Sequence, residues 1–240
     1  MRPIRLANHR DNENGGKGRS PNGVLPRTQV LFLLEKYLRR VQDTLELLPL
    51  VDLARVGEEL LRARAGGKAV YVMGNGGSAA TASHAVADWM KPSKRGNSGC
   101  LRTFSLVDNV SLLTAWANDT SFDNVFAAQL ESLLKPGDIV IAISGSGNSS
   151  NVLRGVEAAR KAGAATIGFS GFSGGRLGRM VDINVVVPCD NQKMIEDIHV
   201  ILTHALTSVL VQSAEMGIRK EAEEHEDEEV EEPAMQSAAG

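Results

Sequence analysis

Five short strand-like runs, the clearest of them rich in Val and Ile, alternate with stretches of helical spacing and set what this chain can fold into. They fall at residues 69–73, 101–106, 138–143, 165–170 and 183–187. Ala69-Val70-Tyr71-Val72-Met73 and Ile139-Val140-Ile141-Ala142-Ile143 show no polar alternation. Strands of that kind are buried on both faces, as in a parallel sheet covered by helices. Helical stretches are expected at 78–90, 109–117, 122–134, 149–162, 174–179 and 191–217, with Gly137 and Gly163 where helices stop and strands restart. The fold class that follows is α/β, a doubly wound five-stranded parallel sheet. Ahead of it, Leu31, Leu34, Leu38, Val41, Leu45 and Leu48 recur at helical intervals. Pro49 then separates this helix from a second one near 50–65, giving an N-terminal helical extension.

Charge is partitioned along the chain. Residues 1–28 carry six Lys or Arg against two acids, and residues 221–240 carry nine acids and no Lys or Arg. With a net charge of −3 for the whole chain, residues 29–220 are left nearly neutral. Neither end has the apolar content to offset its ordering entropy. The expected organisation is a disordered segment at 1–28, one domain at 29–220 and a disordered acidic tail at 221–240. No run of eighteen apolar residues occurs, so no membrane span or membrane partner is expected, and the N-terminus lacks the apolar stretch of a secretory signal. Cys100 and Cys189 are too far apart for a disulfide framework or zinc spacing. A reducing cytoplasm is the expected setting, with no nucleic-acid partner.

Two loops of small residues carry the chemistry. Gly74-Asn75-Gly76-Gly77-Ser78 follows the first strand, and Ser144-Gly145-Ser146-Gly147-Asn148-Ser149 follows the third. Each brings bare N–H groups, hydroxyls and a helix N-terminus to one point, an arrangement that binds an oxyanion, most often phosphate. Neither contains the Gly-Lys-Ser/Thr ending of a nucleotide-binding P-loop, so a phosphorylated small molecule is favoured. The first loop also fits the loose Gly-x-Gly-x-x-Ala dinucleotide pattern. The acid after the next strand, Asp108, comes about ten residues later than that pattern places it. Ser144, Ser146 and Ser149 are positioned to cap the helix that follows the second loop. In such a sheet, ligands bind beyond the carboxyl ends of the strands, where both loops fall.

Two His–carboxylate pairs accompany the loops. His84 and Asp88 are four apart and share a helix face. Glu196 and His204 are eight apart on the last helix, about 80° around its axis, and so can converge. His199 is an alternative partner for Glu196. Two imidazoles and two carboxylates suit either acid–base chemistry or a divalent ion such as zinc, and the spacing leaves both open.

Taken in order, Gly74-Asn-Gly-Gly-Ser78 with His84, the Asn118-Asp119 pair, Ser144-x-Ser146-Gly-Asn-Ser149 and the Ile195-to-His204 segment resemble sugar isomerase (SIS) domains. The phosphoheptose isomerase branch is the closest in pattern, over about residues 30–215. The resemblance implies a flavodoxin-like sheet and an intramolecular oxidoreductase of carbohydrate metabolism in heptose biosynthesis. It implies that Asn75, Gly76, Gly77, Ser78, Asn118, Asp119 and Glu196 contact a sugar, while Ser144, Gly145, Ser146 and Ser149 hold its phosphate. Asp88 and His204 would be base and acid, and His84, Asp88, Glu196 and His204 would be zinc ligands. It also implies a homotetramer. Three positions depart from the branch: 88 is usually Glu, 196 usually Gln and 145 usually Thr.

The reaction so implied is an aldose–ketose isomerisation of sedoheptulose 7-phosphate to D-glycero-D-manno-heptose 7-phosphate through an enediol. A carboxylate base and an imidazole acid suit it if burial tunes them toward neutrality. The rivals are an isomerase of another phosphosugar and a non-catalytic phosphosugar-binding adaptor of the replication-initiator-associating type. Retention of an acid at 88 and of His204 favours the enzyme.

Overall fold

The computed structural model describes residues 24–91 and 101–231, with side chains described through Met216. Residues 1–23 of the basic segment, Cys100 and residues 232–240 of the acidic tail lie outside the described residues. The chain divides into two compact units, Met1–Gln42 and Asp43–Gly240. The described part of the first is mostly helix α1 (Arg27–Glu46), in which Leu31, Phe32, Leu34 and Leu38 are exposed.

In the second unit the order is α2 (Leu50–Ala65), β1 (Ala69–Gly74), α3 (Gly77–Met90), β2 (Arg102–Ser105), α4 (Val110–Asp119), α5 (Ala127–Leu133), β3 (Ile139–Ser144), α6 (Ser150–Lys161), β4 (Ala165–Gly171), β5 (Ile183–Val187) and α7 (Gln192–Glu231). All five strands are parallel, in the order β2-β1-β3-β4-β5. This is the doubly wound arrangement expected, and its winding reverses between β1 and β3. Gly74 and Ile143 are in register across that pair, so the two small-residue loops leave the sheet side by side.

Every residue of β1 and β3 is buried. Alternate side chains serve opposite faces. Tyr71, Met73, Val140 and Ala142 pack with Phe126, Leu130, Val152 and Val156 of the α5–α6 layer. On the other face lie α2, α3 and α7. Along α7, Ile195, Ile198, Leu202, Leu206, Leu210 and Ala214 recur at spacings of three and four and are all buried. Residues Gln192–Met216 are long and apolar enough to cross a membrane, but this stripe is spent on the core, which marks a core helix.

Three boundaries differ from expectation. The stretch at 174–179 yields only a 3-10 turn at Leu177–Arg179, because Gly174 and Gly175 have φ of +85° and +57° and cannot start an α-helix. The stretch at 122–134 splits into a 3-10 turn at Phe122–Asn124 and α5. Helix α7 continues to Glu231 instead of stopping at Gly217. A lone Gly costs about 1 kcal/mol in a helix, and the Lys, Glu and Ala residues after it are strong helix formers.

Candidate active site

The two loops are joined by a pair that sequence reasoning overlooked. Asn75 and Asn151 exchange side-chain hydrogen bonds, Asn75 Nδ2 donating to Asn151 Oδ1 at 2.8 Å and Asn151 Nδ2 to Asn75 Oδ1 at 2.9 Å. Asn151 is buried in the first turn of α6, where Oδ1 also accepts from the Val152 N–H at 2.9 Å. An Asn beside the first apolar residue of an amphipathic helix, directly after the serine loop, was the available signal. In the first loop Ser78 is buried, and its N–H donates to the Asn75 carbonyl while that of Ala79 donates to the Gly76 carbonyl.

In the second loop, Ser144 is buried and its Oγ lies 3.3 Å from Ser149 Oγ. Ser146 is exposed, with Oγ accepting from the Asn148 N–H at 3.2 Å. Gly147 has φ +64°, which favours glycine, and the Gly174 carbonyl stands where a Cβ would go. Ser149 occupies the N-cap position of α6 but its hydroxyl makes no cap bond. Helix capping is therefore not what the serines do here, and the hydroxyls of Ser144 and Ser149 face each other at the helix N-terminus.

Asn118 and Asp119 end α4 in exposed positions, with Asn118 Nδ2 donating to Asp119 Oδ1 at 3.0 Å. The link from this region to the second loop comes from Asp123, which accepts from the Ser150 hydroxyl and pairs with Arg154 at 3.9 Å. Asp123 was not among the expected site residues.

Helices α3 and α7 pack together and bring three ionisable groups to one point. His84 Nε2 and His204 Nε2 are 2.8 Å apart, and Asp88 Oδ2 is 3.3 Å from each. Among the described residues these three have ligand atoms within 4.8 Å of one another. The fourth expected member, Glu196, stands apart. It lies about 12 Å nearer the start of α7 by helix rise, with Oε1 accepting from Gln192 Nε2 at 2.9 Å and Oε2 3.4 Å from Lys193 Nζ. Its carboxylate covers Gly77, at the first residue of α3. The side chains of His84, Asp88 and His204 keep 50%, 32% and 52% of their exposure, so the triad opens to solvent in the single chain. His199 is the core histidine: fully buried, its Nε2–H donates to the Ser170 carbonyl at 3.2 Å, and burial pushes its pKa down to about 4.

The SIS domain model matches residues 35–171. The phosphoheptose isomerase of Geotalea daltonii is 41% identical over 158 residues, covering 66% of this chain and 82% of the relative. The chain belongs to the phosphoheptose isomerase family of SIS domains. A probable phosphoheptose isomerase of Thermoplasma acidophilum is 40% identical over 65% of this chain and 85% of its own length. The phosphoheptose isomerase structure from Francisella tularensis superposes with a TM-score of 0.71 at 28% identity, over 79% of this chain and all of that one. Membership in this family makes the chain an isomerase, and the adaptor alternative is not favoured.

Proposed function

We propose that this isomerase interconverts sedoheptulose 7-phosphate and D-glycero-D-manno-heptose 7-phosphate, a cytoplasmic step of heptose biosynthesis. The observation that carries the reading is the convergence of His84, Asp88 and His204 on the helices that flank the loop crevice. Ser144, Gly145, Ser146, Ser149 and the N–H groups opening α6 take the phosphate, and remote binding of that kind positions the reacting carbons. Asn75, Gly76, Gly77, Ser78, Asn118, Asp119 and Glu196 contact the sugar. Asp88 removes a proton from C1 of the ketose and delivers one to C2 of the enediol, and on the solvent-open carboxyl that proton exchanges with water between the two transfers. His204 Nε2 supplies and recovers the proton on the substrate oxygens.

Zinc fits the same three groups. Ligand atoms about 2.0–2.2 Å from a tetrahedral ion lie about 3.3 Å from one another; both Asp88–His spacings match this, while the two Nε2 atoms, 2.8 Å apart, would have to separate by about 0.5 Å. Two imidazoles and one carboxylate would be a three-ligand set, the number that catalytic rather than structural zinc sites use. The ion, when bound, polarises a carbonyl as a Lewis acid. With an ion there, the two Nε2 atoms and Asp88 Oδ2 would be its ligands, and Asp88 Oδ1 would remain to hold the proton.

A homotetramer belongs to this reading. The exposed Leu31, Phe32, Leu34 and Leu38 of α1 are suited to isologous packing against a second copy. The half-exposed triad also calls for a cover before water is excluded from the reaction.

The test is turnover of sedoheptulose 7-phosphate by Asp88→Asn and His204→Ala, with zinc measured in each preparation. Each variant is expected to lose about a hundredfold or more in kcat, with substrate affinity kept within about threefold. Turnover equal to the wild type in both variants contradicts the assignment. About one zinc per chain, lost in His84→Ala, is expected for the metal-bound form.

A further inference from the structure

The first turn of α7 lies over the carboxyl edge of the sheet and lays three side chains onto three glycines. Ile195 takes the room beside Gly171, Glu196 that beside Gly77 and Gln192 that beside Gly145. None of these glycines has a positive φ, so backbone conformation does not require glycine there. Each is small because an α7 side chain stands where its Cβ would be. Beside Gly171 the neighbour is aliphatic and the contact is packing. Beside Gly145 it is a carboxamide, and Gly145 lies between Ser144 and Ser146 in the loop that opens α6.

The Gln192 amide is oriented by its partner. A carboxylate only accepts, so the Glu196 Oε1 contact at 2.9 Å fixes the nitrogen end of the amide. That nitrogen carries two hydrogens, and the second has no protein partner among the described residues. Gln192 is exposed, so this N–H is open to a ligand entering the loop.

We propose that Gln192 is a specificity-determining residue for the phosphate end of the substrate. Its second amide N–H donates to the phosphoryl group held by the Ser144–Ser149 loop, in the space a side chain at 145 would fill. The inference rests on the reading of that loop as the phosphate site. Glu196 holds the carboxamide in place, and Lys193 Nζ, 3.4 Å from Glu196 Oε2, offsets a charge that would otherwise repel a phosphate. Positions 145 and 192 are therefore coupled: a side chain fits at 145 only when the one at 192 is short.

The experiment uses the full chain, with inorganic phosphate as the binding probe and sedoheptulose 7-phosphate for kinetics. Gln192→Ala is expected to weaken phosphate binding about tenfold and to raise KM similarly, with kcat held within about twofold. Gln192→Glu, equal in size but without the donor, is expected to lose more. Gly145→Ser alone is expected to lose about as much as Gln192→Ala, because its side chain meets the amide. The double variant Gly145→Ser/Gln192→Ala is expected to recover most of that loss. Phosphate binding unchanged in Gln192→Ala, or losses that simply add in the double variant, overturns the proposal. A Ser149→Ala chain that loses phosphate while Gln192→Ala does not removes Gln192 alone. A wild-type chain that binds no phosphate overturns the loop reading, and the role of Gln192 with it.

Discussion

His199 is the residue whose surroundings decide its role most plainly. His84 and Asp88 pair imidazole with carboxylate at helical spacing, and His199 lies only three residues from Glu196. Its ring instead enters the core, bonds the Ser170 carbonyl and leaves Nδ1 without a partner. Desolvation lowers its pKa to about 4, although the Ser170 bond and the Glu196 charge both favour the protonated form. In the unfolded chain it titrates near 6.5. The folded value is the lower one, so the full stability is present above about pH 6.5. It is lost as pH falls and the unfolded chain takes up the proton, levelling off below about pH 4. Between pH 7.5 and pH 5 this residue should remove about 2 kcal/mol of unfolding free energy. Urea unfolding at the two pH values checks it: His199→Gln should lose that part of the dependence. An equal dependence in both proteins would place the effect elsewhere.

At the scale of elements, the docking of α7 is the contact most exposed to a single change. Gly171 ends β4, and an added Cβ would come within 2.7–2.8 Å of Ile195 Cγ1 and Cγ2. Ile195 is fully buried and has no room to move. Overpacking of this kind costs about 1–3 kcal/mol. Gly171→Ala should therefore lower unfolding free energy by that amount, whereas an unchanged denaturation midpoint would show that α7 can shift to accommodate it. β1 and β3 were legible because their Val and Ile runs lack polar alternation, and all five strands lie within a residue or two of the expected places. The loops were legible because small residues follow those runs directly. Less legible was anything that depends on which side chain of one element meets a glycine of another. Gln192 over Gly145 and Asn151 across from Asn75 are contacts between segments 47 to 76 residues apart, and no local pattern announces them. Glu196 is a different case: the helical spacing allowed it to converge with His204, and its partners are local, Gln192 and Lys193 in the first turn of its own helix.

At the scale of the whole molecule, the winding of the sheet is what makes an isomerase of these parts. The reversal between β1 and β3 sets the two loops side by side, and α3 and α7 descend from that edge carrying His84, Asp88 and His204. In the proposed reading, a phosphate anchored at one end and a proton carrier at the other fit a substrate whose charge and reacting carbons are separated. The central claim is that Asp88 carries a proton between C1 and C2 of a heptose 7-phosphate. It is tested most directly by incubating sedoheptulose 7-phosphate with the protein in D2O and following both carbons by proton NMR. The account predicts solvent deuterium at C2 of the aldose product and at C1 of the recovered ketose, abolished in Asp88→Asn and retained in Gln192→Ala at saturating substrate. Turnover and deuterium incorporation in Asp88→Asn equal to those of the wild type would contradict it.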